Sequence, residues 1–419
     1  MRSPLFVIVV LLACGHPAVV APTPPVAPTT APRKTSVPPT DPCAPELGPA
    51  TTVLRAFRTE LLAAATKDAR GFQQSVPDRM AAFREKNRTV LAAHAAWSFK
   101  RLPKLALPGL DTLPDDPRVT ADVAARMRGI LAADQDKEGF SFQSFMGLLA
   151  ADPIRAFAGI RGAVQSAVGS LGDLGRMREN MLEGLAPPRI VRLNDDGDHP
   201  VLAMARRADI FVVAFDHDAA EGAFLPKQIR WVRRDPPSEP SHDIKTAEDA
   251  FQSFAMAVEG SSPEDGLTAA NLSARTLTQV GDLGKRWLDP HSSLLREHGA
   301  CLCKQLPTVP MPDLADWKEE EGRWNLVLQT SMFPRLRWDP LQAFLFLRTT
   351  IDSRTMSVGD YGALALVDSL VQPTVFRGTD DLNDPVLFLV EGDTYLVVVF
   401  SSSPDRGYFP TQVRYFRRK

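Results

Sequence analysis

Three observations predict an α+β fold built as two tandem repeats. Blocks of sequence return in order about 185 residues apart, each copy reads as helical first and strand-like last, and both copies contain apolar strands that do not alternate.

The blocks are specific. Asp152-Pro153-Ile154-Arg155-Ala156-Phe157 returns as Asp339-Pro340-Leu341-Gln342-Ala343-Phe344, and Ser170-Leu171-Gly172-Asp173-Leu174-Gly175 as Ser357-Val358-Gly359-Asp360-Tyr361-Gly362. Arg192, Asp195-Asp196 and Pro200-Val201-Leu202 return as Arg377, Asp380-Asp381 and Pro385-Val386-Leu387. Gly222, Phe224, Gln228, Arg230 and Arg233 return as Gly407, Phe409, Gln412, Arg414 and Arg417. The early parts agree less; Ala56-Phe57 and Trp97 have candidate counterparts in Ala250-Phe251 and Trp287.

Apolar spacing predicts helices over Thr52 to Ala65, Arg79 to Trp97, Thr246 to Val258 and Ala269 to Trp287. Asp152 and Asp339 each stand before a proline, which suits a cap followed by the first helical residue. A second helix is expected after each Gly-Asp-x-Gly break, read as a cap between two helices. Four strands follow, in the second copy Thr374 to Arg377, Val386 to Val390, Tyr395 to Phe400 and Gln412 to Phe416, joined by Gly-, Asp- and Pro-rich turns as an antiparallel meander. Ile210 to Val213 and Leu396 to Phe400 are apolar on successive positions, so both sheet faces should be covered there. The last strands, Ile229 to Val232 and Val413 to Phe416, mix basic and apolar residues, and Gln228/Gln412 and Arg230/Arg414 read as sheet-edge or domain-contact residues. The repeats span 46–235 and 242–419, with a proline-rich linker at 236–241. Helices before a curved sheet resemble, in element order, the cone-shaped nuclear transport factor 2-like folds.

The first thirteen residues read as a signal peptide whose apolar run, Leu5 to Ala13, is too short to span a bilayer. Leu11-Leu12-Ala13-Cys14 resembles the lipobox of bacterial lipoproteins, with an aliphatic residue three before the cysteine and a small one beside it. The resemblance implies cleavage before Cys14, acylation of its thiol and a stable membrane anchor. Gly15 rather than Asp after the cysteine implies the outer membrane. Residues 14–45 form a Pro/Thr-rich tether; eleven prolines fall between 15 and 49, which excludes helix or central strand and favours polyproline II.

Net charge is −2, from 48 basic and 50 acidic residues, which argues against nucleic acid or an anionic lipid surface as the main partner. With Cys14 acylated, Cys43, Cys301 and Cys303 remain as candidate disulfide cysteines. His298, Cys301 and Cys303 also have ligand-like spacing for a soft metal, but a disulfide or plain loop thiols are expected instead. The acidic turns at 194–198 and 380–384 lack the distal bidentate Glu of a calcium loop and read as Asx-rich turns. No Gly-x-Ser-x-Gly elbow is present, and none of the seven histidines recurs between copies, so no catalytic residue is assigned and no cofactor is expected. The expectation is a non-enzymatic binding or scaffold lipoprotein of the envelope, with a protein partner or an apolar small ligand. The alternative is an envelope enzyme with a pocket between helices and sheet, acting on a cell-wall or small-molecule substrate.

Overall fold

The computed structural model describes residues 48–107, 109–115, 123, 125, 150–168, 190–205, 209–220, 222–233, 243–261, 274–320 and 334–419. The signal peptide, the tether, the linker and the first Gly-Asp-x-Gly segment lie outside the described residues. The first half contains α1 (Thr51–Lys67), α2 (Ala69–Arg101), α3 (Pro153–Val168) and the strands β1 (Ile190–Arg192), β2 (Val201–Ala205), β3 (Asp209–Asp218) and β4 (Ala223–Arg233). The second contains α4 (Ala247–Ser261), α5 (Ala274–Trp287), α6 (Ser292–Lys304), β5 (Trp317–Glu319), α7 (Pro340–Thr355), α8 (Val358–Leu370), and the strands β6 (Phe376–Arg377), β7 (Val386–Glu391), β8 (Thr394–Ser403) and β9 (Gly407–Arg418). The fold is α+β with two antiparallel sheets, ordered β1-β2-β3-β4 and β5-β9-β8-β7-β6.

Local sequence explains the helix ends. The Asp68 carboxylate accepts the amides of Arg70 and Gly71, which stops α1 and starts α2 across a single residue. The Asp152 carboxylate accepts the Ile154 amide and that of Asp339 the Gln342 amide, each beside a proline in the first turn. Helix α2 is longer than its sequence pattern predicts: it runs through Pro77 and kinks at Asn87 (φ −115, ψ 16), whose side chain donates to the Phe83 carbonyl. The second half breaks in nearly the same conformation at His291 (φ −109, ψ 21), between α5 and α6. Trp97 follows the first of these breaks, whereas Trp287 precedes the second. The second Gly-Asp-x-Gly segment is not a break either. Ser357 caps α8 by accepting the Asp360 amide, and its hydroxyl donates to the Asp360 carboxylate at 2.6 Å, so Gly359 to Gly362 form the first turns of the helix.

Both faces of each sheet are covered, as the non-alternating strands require. On one face, Phe157, Ile160 and Val164 of α3 pack on Leu202, Phe211 and Val213, while Phe344, Leu347 and Ile351 of α7 pack on Leu387, Leu396 and Val398. The intervening residues point the other way. Ala203, Ile210 and Val212 meet Leu107, Leu110 and Leu113; Phe388, Tyr395 and Val397 meet Val309 and Trp317.

These covering segments, residues 103–115 and 307–319, are two straps laid across the outer sheet faces. Each begins parallel to the edge strand. The Arg192 amide donates to the Pro103 carbonyl and the Leu105 amide to that of Arg192; Arg377, Pro307 and Val309 repeat the pattern. Each ends antiparallel to the last strand, Asp115 opposite Val232 and Glu319 opposite Phe416. Arg230 donates from Nε to Asp115 at 2.8 Å, and Arg414 pairs with both carboxylate oxygens of Glu319 at 2.9 and 2.7 Å. These arginines therefore tie down straps, and β9 is not an edge, because β5 pairs with it. Both halves also shift register at a proline that cannot donate to the ladder, Pro226 opposite Phe215 and Pro410 opposite Phe400.

One core crosses residue 235. Phe57 and Leu61 of α1, with Phe72, Val76 and Met80 of α2, pack on Ala363, Val367 and Leu370 of α8. The helical hairpin that opens the first half is thus seated on the second.

Candidate functional site

Among the described residues, a cluster of converging polar groups lies where the two halves meet, around the C-terminus of α8. A helix end leaves carbonyls without intrahelical partners and carries partial negative charge. Two arginines of the first half supply donors: Arg155 Nη1 donates to the Leu370 carbonyl at 2.6 Å, and Arg58 Nη1 to that of Val371. Arg58 continues into a cluster of charged side chains. Its Nε and Nη2 pair with Glu391 at 2.6 and 2.8 Å, and Nη2 also reaches Asp368 at 2.7 Å. Arg348, from α7, approaches the same carboxylates from the other side, Asp368 at 2.6 Å and Glu391 at 3.0 Å. Asp352, one turn further along α7, stands 3.4 Å from Arg348 Nε.

Local sequence places each member. Arg58 sits among Phe57, Leu61 and Ala65 on the buried face of α1 and is itself 3% exposed. Arg348 and Asp352 lie on the buried face of α7 with Phe344 and Ile351. Glu391 ends β7 at a two-residue hairpin, whose Gly392 takes φ +57 at the first turn position and lies against Thr66 of α1. Burial pulls the Arg348 guanidinium toward neutrality, but Asp368, Glu391 and Asp352 more than reverse this and hold it charged. Burial pushes the Asp352 carboxyl up to about 6, with Arg348 pulling down and Asp368 and Glu391 pushing further up.

A cavity of about 30 Å³ adjoins the cluster. Phe57, Leu370 and Val371 supply its apolar wall, and His94, Asp152 and Arg155 its polar side. His94 stacks on Trp97 with centroids 5.2 Å apart, and its buried Nδ1 has no hydrogen-bond partner among the described residues. Burial lowers its pKa, against the pull of Asp152 and with the push of Arg155. The space suits one or two waters. Among the described residues, its lining holds a base but no hydroxyl or thiol nucleophile.

The cysteines separate. Cys301 is disulfide-bonded, whereas Cys303 is a free buried thiol; Cys14 and Cys43 lie outside the described residues. Cys301 and Cys303 stand on helix α6 rather than in a loop, and two residues along a helix turn a side chain by about 200°. Cys303 therefore points into the core with Leu341 and Phe344, where burial pushes its thiol up to about 12. His298 lies 3.6 Å from Glu248 and edge-on to Phe251. The helix thus does not bring His298, Cys301 and Cys303 together as ligands. In the acidic turns, Asp196 accepts the amides of Asp198 and His199, and Asp381 those of Asn383 and Asp384; both are Asx turns. Among the described residues, no group of three or more His, Cys, Asp or Glu side chains is placed to hold a metal ion.

The junction residues escaped the sequence reading, although one signal was present. Arg58 and Arg348 interrupt apolar stripes at helical spacing, and a charge on a buried face needs a partner.

Comparison with protein-family models, with curated proteins and with solved structures finds no match to this chain.

Proposed function

We propose that this chain is an envelope lipoprotein, anchored by acylated Cys14 in the outer membrane. Its two duplicated α+β halves would act together as a non-enzymatic binding or scaffold module. The observation that carries the non-enzymatic part is the junction. Its converging ionisable groups are engaged with one another, Arg58 and Arg348 with Glu391 and Asp368, rather than aimed into a substrate-sized cleft. The strap pairings repeated in both halves support duplication. Three of the four large apolar side chains that stand exposed among the described residues, Leu105, Met311 and Leu314, belong to the straps. They support an envelope protein or an apolar ligand as the partner. Acylation of Cys14 would leave Cys43 as the partner of Cys301, fixing the end of the tether to α6.

Palmitate labelling with membrane fractionation tests the address. The wild-type chain is expected to label and to sediment with outer membranes, and Cys14→Ala to do neither. Equal labelling of both proteins contradicts the anchor.

A further inference from the structure

The two straps keep the same apolar pattern, but the second leaves more of it open to water. The amides of Leu105 and Val309 donate to the carbonyls of Arg192 and Arg377, which fixes how the straps correspond. Two and five residues further on stand Leu107 and Leu110 in the first strap, Met311 and Leu314 in the second. Leu107 and Leu110 pack on Ala203, Ile210 and Val212 of their sheet. Met311 and Leu314 are 53% and 36% exposed, and Pro310 beside them is exposed as well. An apolar patch kept at these positions and left wet suits a cover.

The cysteines bring a candidate cover to that place. The chain has four; Cys301 is disulfide-bonded and Cys303 is a free thiol. The partner of Cys301 is therefore Cys14 or Cys43. The inference rests here on the lipoprotein reading, which gives Cys14 to the lipid and leaves Cys43. Cys301 stands in the last turn of α6, and the second strap starts at Pro307, three residues after that helix ends at Lys304. A Cys43–Cys301 bond thus brings the end of the tether to the head of the more open strap. At the spacing of 204 residues that relates the straps, the counterpart of Cys301 is Trp97, so the first strap has no such attachment.

We propose that the tether segment Val37-Pro38-Pro39 lies on Met311 and Leu314: the resting occupant of the second strap is the chain's own tether, and an outside partner gains that strap by displacing it.

Reach allows the contact. Val37 precedes Cys43 by six residues, which polyproline II extends over about 19 Å, and the disulfide adds about 5.5 Å between Cα atoms. Three residues of helix and seven of extended chain from Cys301 to Met311 span at most about 28 Å. The amides of Gln305 and Leu306 fold back onto the Cys301 and Cys303 carbonyls, which shortens that path.

The chemistry fits as well. Proline rings and Val37 are apolar, and proline comes with φ already fixed, so docking orders few torsions. Further along the same direction the tether carries Arg33 and Lys34, its only lysine or arginine residues, while the strap ends in exposed Asp313 and Asp316. The contact is too small to hold a free peptide. Pinning at Cys43 raises the local concentration of the segment into the millimolar range and makes the contact intramolecular.

Oxidation of Met311 by dilute hydrogen peroxide, read by mass spectrometry on the full chain, tests this. Met311 is expected to oxidise about fivefold more slowly in the wild-type chain than in one carrying Val37→Asp, Pro38→Gly and Pro39→Gly, as a contact formed about four-fifths of the time would make it. These substitutions lie in the tether and leave the folded halves untouched. Cys43→Ser should release Met311 to a similar degree. Equal rates in the wild-type and triple-variant chains overturn the proposal, whether Met311 is open in both or shielded in both by a second copy or another protein. A non-reducing digest separates the two ways of failing. A Cys14–Cys301 peptide overturns the lipid assignment and the docking with it, whereas equal rates beside a Cys43–Cys301 peptide overturn the docking alone.

Discussion

Arg58 of the first helix and Glu391 of the seventh strand meet through two contacts, Nε to Oε1 at 2.6 Å and Nη2 to Oε2 at 2.8 Å, across 333 residues of sequence. Parallel two-point pairing is the strongest geometry open to these groups, and both side chains are withdrawn from water. Removing one member leaves the other charge buried. Arg58→Met is expected to cost about 3–5 kcal/mol, measured by urea unfolding. A loss below about 1 kcal/mol would mean that water enters the cluster freely.

The strap pair Arg414–Glu319 has the same chemistry in a wetter place. Its partners are 35% and 44% exposed, so solvent screens the interaction. A double-mutant cycle with Arg414→Ala and Glu319→Ala should give a coupling of about 1 kcal/mol or less, weakening further in high salt. A coupling as large as that of Arg58 would contradict this ranking by burial.

Gly407 opens β9 with φ +68, and a Cβ there would lie 2.2 Å from the Arg337 carbonyl oxygen. Backbone strain and backbone overlap act together, so Gly407→Ala should destabilise by more than about 1 kcal/mol. A Cβ at Gly197 would meet nothing within 4 Å among the described residues, so Gly197→Ala serves as the near-neutral control. Thermal midpoints that shift equally in both variants would refute the close approach.

Cys303 should resist alkylation at pH 8 in the folded chain and react on unfolding, because its thiol is buried and its pKa is raised. Cys301 should appear in a disulfide-linked peptide when the protein is digested without reductant. Rapid labelling of Cys303 in the native protein would place it outside the core.

The strands were legible because apolar runs such as Leu396 to Phe400 leave no polar face. Asp-Pro marked the starts of α3 and α7 because cap and proline act within one turn. The straps were hidden by their short signal: Leu102-Pro103 and Leu306-Pro307 share only two residues. Their spacing of 204 residues also differs from the 187 that separates Asp152 from Asp339. The last strand looked like an edge because its pairing with β5 depends on three residues, Trp317–Glu319, that carry no alternation of their own. The junction was not legible because its partners lie more than 300 residues apart, as Arg58 does from Asp368 and Glu391. Only the presence of a charge on an apolar stripe pointed toward it.

The two halves are held together through the seating of α1 and α2 on α8. Urea-dependent hydrogen exchange, followed separately in β3 of the first sheet and β8 of the second, tests it most directly. Both sheets are expected to lose protection at one shared midpoint in the wild-type chain and at two distinct midpoints in Arg58→Met. Separate midpoints in the wild-type chain would contradict it.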